Sequence, residues 1–345
     1  MSSQLKLVEV TINYGDFVAV KGINLELESG QIGCLLGPSG CGKTSLLRAI
    51  AGFEPVASGH ITLHGQVISA PGKLLPPEQR RVGMVFQDFA LFPHLDIGRN
   101  IGFGLKGMSR AKRRRRIAEM LELVGLQDSA RTYPHELSGG QQQRLALARA
   151  LAPSPDILLL DEPFSNLDSE LREQLASEVR ELLKRNGVTA VLVTHDQHEA
   201  FAMADHITLL REGKIAQSDS AYRLYHEPSN PFVASFIGLG SLIRVRVDAS
   251  GELDNGLGHI RDIGTTEVPN GELQLLVRPE DIRYSPQGAT RLSVAGRTFR
   301  GAHYLYQLRL PDDQRVACLA PADVDVAPGE SLPVNICLRN ATVFN

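Results

Sequence analysis

An α/β domain on a mixed, mainly parallel sheet, followed by a small all-β domain, is what this sequence predicts. Three observations predict it. Short aliphatic or β-branched runs (QIGCLL, ILLL, AVLVT) alternate with helical patterns up to about residue 235, the texture of buried parallel strands and the helices that cover them. From Asn230 the texture changes: NPFVASFIGLGS is a Pro/Gly-punctuated connector, and LIRVRV, LQLLVRPEDI, RLSVAG, YLYQLRL, RVACLA and LPVNICL beyond it read as short strands between turns. Finally, 345 residues at 43% hydrophobic composition is long for one domain and suits a large one plus a small one, here 1–235 and 236–345.

The net charge of -3 supplies no overall basic field, which disfavours a general nucleic-acid-binding role. Four cysteines without a C-x-x-C pair, behind a polar start MSSQLKLVEV that lacks an apolar leader, point to a reducing compartment, the cytoplasm. No run approaches the roughly 18 to 20 apolar residues of a membrane-spanning helix. Any membrane role is therefore expected to pass through a partner. In SRAKRRRRIAEMLELVGL, Ile117, Met120, Leu121 and Val124 have helical spacing, and the arginines at 113–116 read as a solvated face. Contact with phospholipid head groups or RNA is the sharper alternative, and no interleaved aromatics support RNA. No internal repeat is visible, and each nucleotide motif occurs once.

The first motif is Gly37-Pro38-Ser39-Gly40-Cys41-Gly42-Lys43-Thr44, which follows QIGCLL and opens the helical pattern SLLRAIAG. It matches G-x-x-x-x-G-K-[ST]: glycines let the backbone wrap phosphates, the helix start offers free N–H groups, Lys43 adds a charge and Thr44 a magnesium ligand. The strand Ile157 to Leu160 then delivers Asp161 and Glu162 at a carboxyl end, where open α/β sheets bind ligands. Asp161 is expected to hold magnesium through water and Glu162 to polarise the attacking water. A lysine, a magnesium ion and one carboxylate suffice for phosphoryl transfer, which needs positioning and charge neutralisation. Two more strand ends are candidates for sensing a γ-phosphate: Val82 to Phe86 ends at Gln87, and Ala190 to Thr194 ends at His195. The residues alone leave His195 open between that role and a structural one.

Leu137-Ser138-Gly139-Gly140-Gln141 precedes a clear helix with Leu145, Ala148 and Leu151 on one side. Ser-Gly-Gly there is a second anion-ready helix start, or a plain cap. Spacing does not say why one chain needs two.

GPSGCGKT, LSGGQ, ILLLDEP and a histidine closing a later strand, in this order, resemble the ATPase subunits of ABC transporters, a phosphate-loop NTPase cassette with a helical signature subdomain, over essentially the whole chain. The resemblance implies a homodimer packed head to tail, each ATP held between the phosphate loop of one copy and the signature segment of the other. It places Tyr14 on adenine, residues Gly37 to Ser45 on the phosphates and magnesium, and Gln87 on magnesium, the attacking water and the link to membrane subunits. Ser138, Gly139, Gly140 and Gln141 reach the partner's γ-phosphate, Asp161 serves magnesium, Glu162 is the general base, Asp168 lines the dimer interface, and His195 holds the γ-phosphate. The segment DFALFPHLDIGRNIGFGL after Gln87 is the expected docking surface for a permease subunit.

The tail, with VRPEDI at 277–282, resembles the OB-like accessory domain of importer ATPases for maltose, polyamines, sulfate and ferric iron. The implied setting is peripheral, at the cytoplasmic face of the inner membrane, beside permease subunits and an extracytoplasmic solute-binding protein. Ferric iron is the solute its texture favours; polyamine, sulfate or thiosulfate and sugar are the alternatives. A soluble ABC ATPase acting on DNA or the ribosome is disfavoured, because neither a coiled-coil interruption nor a second cassette is present. The chain departs from the family pattern at Asn166, where Ala is usual, and at Arg99, where Glu is frequent. His259 and His303 read as scattered surface histidines rather than a metal site.

Overall fold

The computed structural model describes residues 3–246, 253, 257, 272–338 and 342–344. Packing divides the chain into Met1–Ala221 and Tyr222–Asn345. The first unit begins with β1 (Ser3–Tyr14), β2 (Phe17–Glu28), β3 (Ile32–Leu36), α1 (Lys43–Ala51), β4 (Ser58–Leu63), β5 (Gln66–Ala70), β6 (Lys73–Leu74) and β7 (Val82–Val85). It continues through α2 (Ile97–Gly102), α3 (Arg110–Leu123), α4 (Gly139–Leu151), β8 (Ile157–Asp161), α5 (Ser169–Arg185), β9 (Ala190–Thr194), α6 (Gln197–Met203), β10 (His206–Arg211) and β11 (Lys214–Asp219).

The main sheet has the order β11-β10-β3-β9-β8-β7. Every pair from β10 to β7 is parallel, and only β11 runs against its neighbour. β3 and β9 are buried at every position, as strands covered on both faces must be, which explains why they are unbroken apolar runs. Register aligns the strand ends: Leu36 lies opposite Thr194, Asp161 opposite Val193, and Val85 opposite Leu160. The residues that follow these ends therefore emerge along one edge.

β7 stops at Val85, one residue short of the strand expected to end at Phe86, because the Phe86 carbonyl accepts from the Phe89 amide in a turn (2.9 Å). A second sheet, antiparallel and ordered β2-β1-β4-β5-β6, lies beside α1. Leu46, Leu47 and Ile50 of α1 share one core with Leu5, Leu7 and Ile61 of this sheet and with Leu159, Val191 and Val193 of the parallel one. α1 is thus clamped between two sheets.

Arg80 completes the clamp. Only 2% exposed, its guanidinium donates to the carbonyls of Leu75 (2.6 Å), Ala49 (2.7 Å), Ile50 (2.8 Å) and Ile68 (3.1 Å). Two of these belong to the last turn of α1, where unpaired carbonyls and the helix dipole favour a cation. Burial without a carboxylate brings the Arg80 pKa down to about 10.

The second unit holds α7 (Ala221–His226), α8 (Pro231–Phe236), β12 (Ser241–Arg246), β13 (Glu272–Val277), β14 (Ile282–Tyr284), β15 (Thr290–Phe299), β16 (His303–Arg309), β17 (Arg315–Pro321), β18 (Ser331–Ile336) and β19 (Thr342–Phe344). β12-β13-β19 form a sheet, and β14-β17-β16-β15-β18 a closed barrel, the small all-β tail expected from the turn-rich sequence. Its division from the first unit falls at residues 221 and 222, ahead of the boundary expected at 235. The reason lies in Arg278 of the VRPEDI stretch, whose guanidinium stacks 4.0 Å over the Tyr225 ring and donates to the carbonyls of Tyr225 (2.8 Å) and Ile237 (2.7 Å). The chain either side of α8 is thereby tied to the end of β13. Of the two histidines set aside above, His303 opens β16, and His259 lies outside the described residues.

Candidate nucleotide site

The loop between β3 and α1 is fixed by two close approaches. At Gly37 (φ +148°) a Cβ would stand 2.4 Å from the Leu210 carbonyl oxygen, and at Gly42 (φ +100°) 2.6 Å from that of Ala19. No side chain fits either place. The loop curls around the Lys43 ammonium, which donates to the carbonyls of Gly37 (2.7 Å) and Pro38 (2.9 Å) and lies 3.8 Å from the Cys41 sulfur. Lys43 is only 5% exposed, so a cation occupies the mouth of a loop whose amides open the nine-residue helix α1. That arrangement suits an anion such as phosphate: the dipole and the charge have the same sign. Tyr14, half-exposed at the end of β1, donates its hydroxyl to Ser45 Oγ (3.2 Å), which sets a flat aromatic face beside the start of α1. Ser39, Gly40 and Thr44 are exposed on the same loop.

Across the edge, Thr44 Oγ1 meets Asp161 Oδ1 at 3.5 Å. Burial, and then the neighbouring Glu162 carboxylate, push the Asp161 pKa up, against the pull of Thr44, Arg48 and Lys43. Two hard oxygen donors face each other with negative charge incompletely neutralised, which fits a magnesium ion that keeps several of its waters. Glu162 sits at φ +43°, a left-handed conformation unusual for a side-chain-bearing residue. Its amide bonds to the Val193 carbonyl (2.9 Å), and its carbonyl accepts from Ser165 Oγ (2.9 Å). This backbone turn sends the carboxylate toward His195, whose Nδ1 lies 3.3 Å from Glu162 Oε2. The strain falls on a residue whose carboxylate aim it sets, as it does at functional sites.

Gln87, exposed just after β7, is held by its main chain. Its carbonyl accepts from Asn166 Nδ2 (2.8 Å), a bond that the usual alanine at 166 has no donor to make. Beyond it, Phe89 and Ala90 both have positive φ (61° and 47°). Arg149, in the last turn of α4, donates to their carbonyls, at 2.9 Å for Phe89, and its guanidinium packs 5.4 Å from the Phe92 ring. The helix that starts at the signature segment therefore ends by gripping the loop that carries Gln87. The other departure, Arg99, pairs with Asp96 at 3.4 Å.

Ser138 caps α4 in a reciprocal box: the Gln141 amide donates to Ser138 Oγ (3.4 Å), and Gln141 Oε1 accepts from the Ser138 amide (3.0 Å). Gly139 and Gly140 lie under Leu167 and Leu175, where a Cβ would come within 2.9 and 3.1 Å of those side chains. Asp168 caps α5 by accepting from the Leu171 amide (2.9 Å). Among the described residues no hydrogen bond or ion pair joins residues 138–141 to residues 37–45.

Arg172, one turn into α5, donates to the Leu167 carbonyl (2.9 Å) and to Asp196 (3.1 Å) and lies 3.5 Å from Glu199. Glu199 in turn accepts from Thr194 Oγ1 (2.5 Å). Burial raises the Glu199 pKa, whereas burial of Asp196 is outweighed by the amides of His198 and Glu199 and by Arg172, which hold its pKa low. This network joins the loop before Asp168 to the turn that carries His195. Neither Arg149 nor Arg172 stands out in sequence, since an arginine on a helix face is ordinary until its carbonyl partners are known.

A family model described as ABC transporter matches residues 20–165, and one described as TOBE domain matches residues 275–344. The Fe(3+) ions import ATP-binding protein FbpC of Streptomyces avermitilis is 42% identical over 348 residues, 99% of this chain and 98% of that protein. The spermidine/putrescine import ATP-binding protein PotA of Roseobacter denitrificans is 50% identical over 236 residues, 68% of this chain and 64% of its own. The solved structure of cbiO1 from Clostridium perfringens, described as part of the ABC transporter complex cbiONQ, superposes with a TM-score of 0.60 at 27% identity. It covers 66% of this chain and 92% of that one.

The raised pKa of Asp161 makes a testable statement about the metal-free, nucleotide-free protein. An acid whose folded pKa lies above its unfolded value costs stability once ionised, fully above the folded pKa and not at all below the unfolded one. Asp161→Asn should therefore raise the thermal midpoint near neutral pH by about 2 °C. The gain should vanish as pH falls through the carboxylate range, while magnesium-dependent hydrolysis is lost at every pH. An equal gain at pH 3 and pH 7 contradicts the electrostatic cause.

Proposed function

This chain belongs to the ATP-binding subunits of ABC transporters, and on that premise we propose that it is the motor of a ferric-iron importer that completes its two ATP sites by pairing with a second copy of itself. It is an ATPase of an importer-type ABC system, and its family works with membrane permeases. No helix among the described residues is long and apolar enough to cross a membrane. The proposed setting is the cytoplasmic face of the inner membrane, under permease subunits that receive solute from an extracytoplasmic binding protein.

In the proposed mechanism the Tyr14 ring stacks on adenine, and residues Gly37 to Ser45 receive the phosphates. The Lys43 ammonium exchanges the Gly37 and Pro38 carbonyls for phosphate oxygens. Thr44 and Asp161, with Gln87, would hold magnesium, which when bound neutralises charge developing on the β- and γ-phosphate oxygens. Glu162 orients a water and accepts its proton as the water oxygen bonds to the γ-phosphorus and the bridging bond to ADP breaks. His195 orients Glu162 and hydrogen-bonds the γ-phosphate. Ser138, Gly139, Gly140 and Gln141 of the second copy close over the same phosphate, with Asp168 at the shared interface. The support for pairing is that each helix start is present once and that, among the described residues, no hydrogen bond or ion pair joins the two. Closure on ATP and reopening after hydrolysis is then a ligand-driven population shift.

The observation that carries the choice of solute is the match to a Fe(3+) import subunit over 99% of this chain, the β tail included. A second reading, polyamine import, has its own support in the 50% identity to one spermidine/putrescine subunit over a span of cassette length and the 40% identity to another over 99% of this chain.

Three outcomes test these readings. Glu162→Gln should bind ATP, hold a closed dimer by size-exclusion chromatography and lose turnover about a thousandfold; near-normal turnover rejects the base assignment. Ser138→Arg should abolish hydrolysis while leaving ATP affinity of the isolated subunit unchanged, and a loss of that affinity contradicts completion of the site by a second copy. With permease and binding protein reconstituted in vesicles, iron-loaded binding protein should stimulate hydrolysis; stimulation by a polyamine-loaded one instead selects the second reading.

A further inference from the structure

Residues 106–115, from the segment after α2 into the first turns of α3, are exposed at every position. They carry six cations (Lys106, Arg110, Lys112 and the arginines at 113–115) and no carboxylate, in a chain whose net charge is -3. Local stability argues against such an arrangement. α3 has no acidic residue in its first turn, so its cations face the positive end of the helix dipole, and Arg110 repels Arg113 and Arg114 at helical spacing.

Some members have work in the fold. Arg116 donates to the Ala152 (2.9 Å) and Leu151 (3.1 Å) carbonyls that end α4, Arg115 pairs with Glu119 (3.0 Å), and the Arg113 guanidinium lies over Gly102. Lys106, Arg110, Lys112 and Arg114 have no ion-pair partner among the described residues. α3 itself buries only Met120 and Leu121, near its other end.

Two apolar side chains stand beside these cations: Phe103 is 49% exposed and Met108 44%. The Lys106 ammonium lies 5.8 Å from the Phe103 ring. Arg110 and Arg114 line one shallow depression with Ala111 and Ala118. Unpaired cations with neighbouring apolar groups match a bilayer surface, where phosphates take the charge and the headgroup region takes the apolar atoms. Single-stranded RNA calls for several stacking aromatics, and this stretch has one.

We propose that residues 106–115 form a membrane-contact patch, in which Lys106, Arg110, Lys112 and Arg114 hold the phosphates of anionic phospholipids and Met108 enters the headgroup layer. The contact gives the motor an attachment to the bilayer that is independent of its permease. It needs neither ATP nor a partner protein, so its test stands apart from that of the transport reading.

The experiment is co-sedimentation of the full chain, without nucleotide or permease, with vesicles of phosphatidylcholine alone or mixed with phosphatidylglycerol. Wild type should bind the mixed vesicles, release in high salt and ignore the neutral ones. The triple variant Arg110→Gln, Lys112→Gln, Arg114→Gln should bind about a hundredfold more weakly, and Met108→Ser several-fold more weakly, with ATP hydrolysis in solution unchanged for both. Equal binding to neutral vesicles, or undiminished binding by the triple variant, overturns the proposal. So does wild type binding an oligouridylate but not vesicles, or a triple variant that keeps vesicle binding but no longer assembles with the permease in detergent.

Discussion

The loop of residues 37–42 passes so close to the main chain of β10 and β2 that only glycine can stand at its two pinch points, and the rest of the nucleotide site depends on that approach. With Gly37 against Leu210 and Gly42 against Ala19, the loop has little freedom except to turn its carbonyls inward and its last residues into a helix. Lys43 then falls inside the curl, and Thr44 falls opposite Asp161. The parallel sheet does the remaining alignment, because its register sets Leu36 opposite Thr194 and Asp161 opposite Val193, one residue away. A phosphate cradle is in this sense a statement about backbone distances, and the side chains follow.

How much of this was legible in the sequence follows from the range of the forces involved. The strand ends at Leu36, Asp161 and Thr194 were readable because unbroken burial demands unbroken apolar runs, and the polar residues after them stand out against that background. The helix start at Ser138 was readable, open between an anion site and a plain cap, and the structure adds the reciprocal bonds with Gln141. What could not be read were contacts made by arginines across long sequence separations. Arg80, Arg149, Arg172 and Arg278 each hold main-chain carbonyls, and a carbonyl has no letter in the sequence. The same limit moved the domain boundary: the connector after Asn230 looked like the junction, but Arg278 reaches back to Tyr225 and assigns the short helices to the second unit. Asn166 was noted as a departure from pattern, yet only the fold shows its partner, the Gln87 carbonyl.

Three of these arginines, Arg80, Arg149 and Arg278, share a physical logic. A guanidinium carries five donors in a rigid fork, so one buried cation can satisfy several carbonyls at loop or helix ends that water no longer reaches. Arg80 does this for the end of α1, Arg149 for the loop after Gln87, and Arg278 for the chain around α8. For Arg80, Arg149 and Arg278, burial lowers the pKa, the expected sign for a cation removed from water, and for Arg80 it comes down to about 10. The Arg80 tie is therefore independent of physiological pH.

The distribution of unfavourable terms follows from the same arrangement. Glu162, Phe89 and Ala90 carry positive φ without being glycine, and Asp161 is ionised at a cost. All four lie where strands β7 and β8 give way to loops, Asp161 as the last residue of β8 and the other three beyond the strand ends. The sheet and α1 are close-packed and hold their positions through Arg80 and a continuous core, while the strained segments are held by single guanidinium or amide contacts, those of Arg149 and Asn166. An arrangement of this kind can change the aim of Gln87 and Glu162 by exchanging a few hydrogen bonds, without disturbing register in the sheet. Phosphate, with its charge and its many acceptor sites, offers such an exchange to Lys43 first, since that ammonium now makes do with two carbonyls and a thiol. Close-packed strands and lightly tied ends are thus two consequences of one design: the sheet fixes where the loop of residues 37–42 stands, and the segments beyond β7 and β8 are held by a few hydrogen bonds.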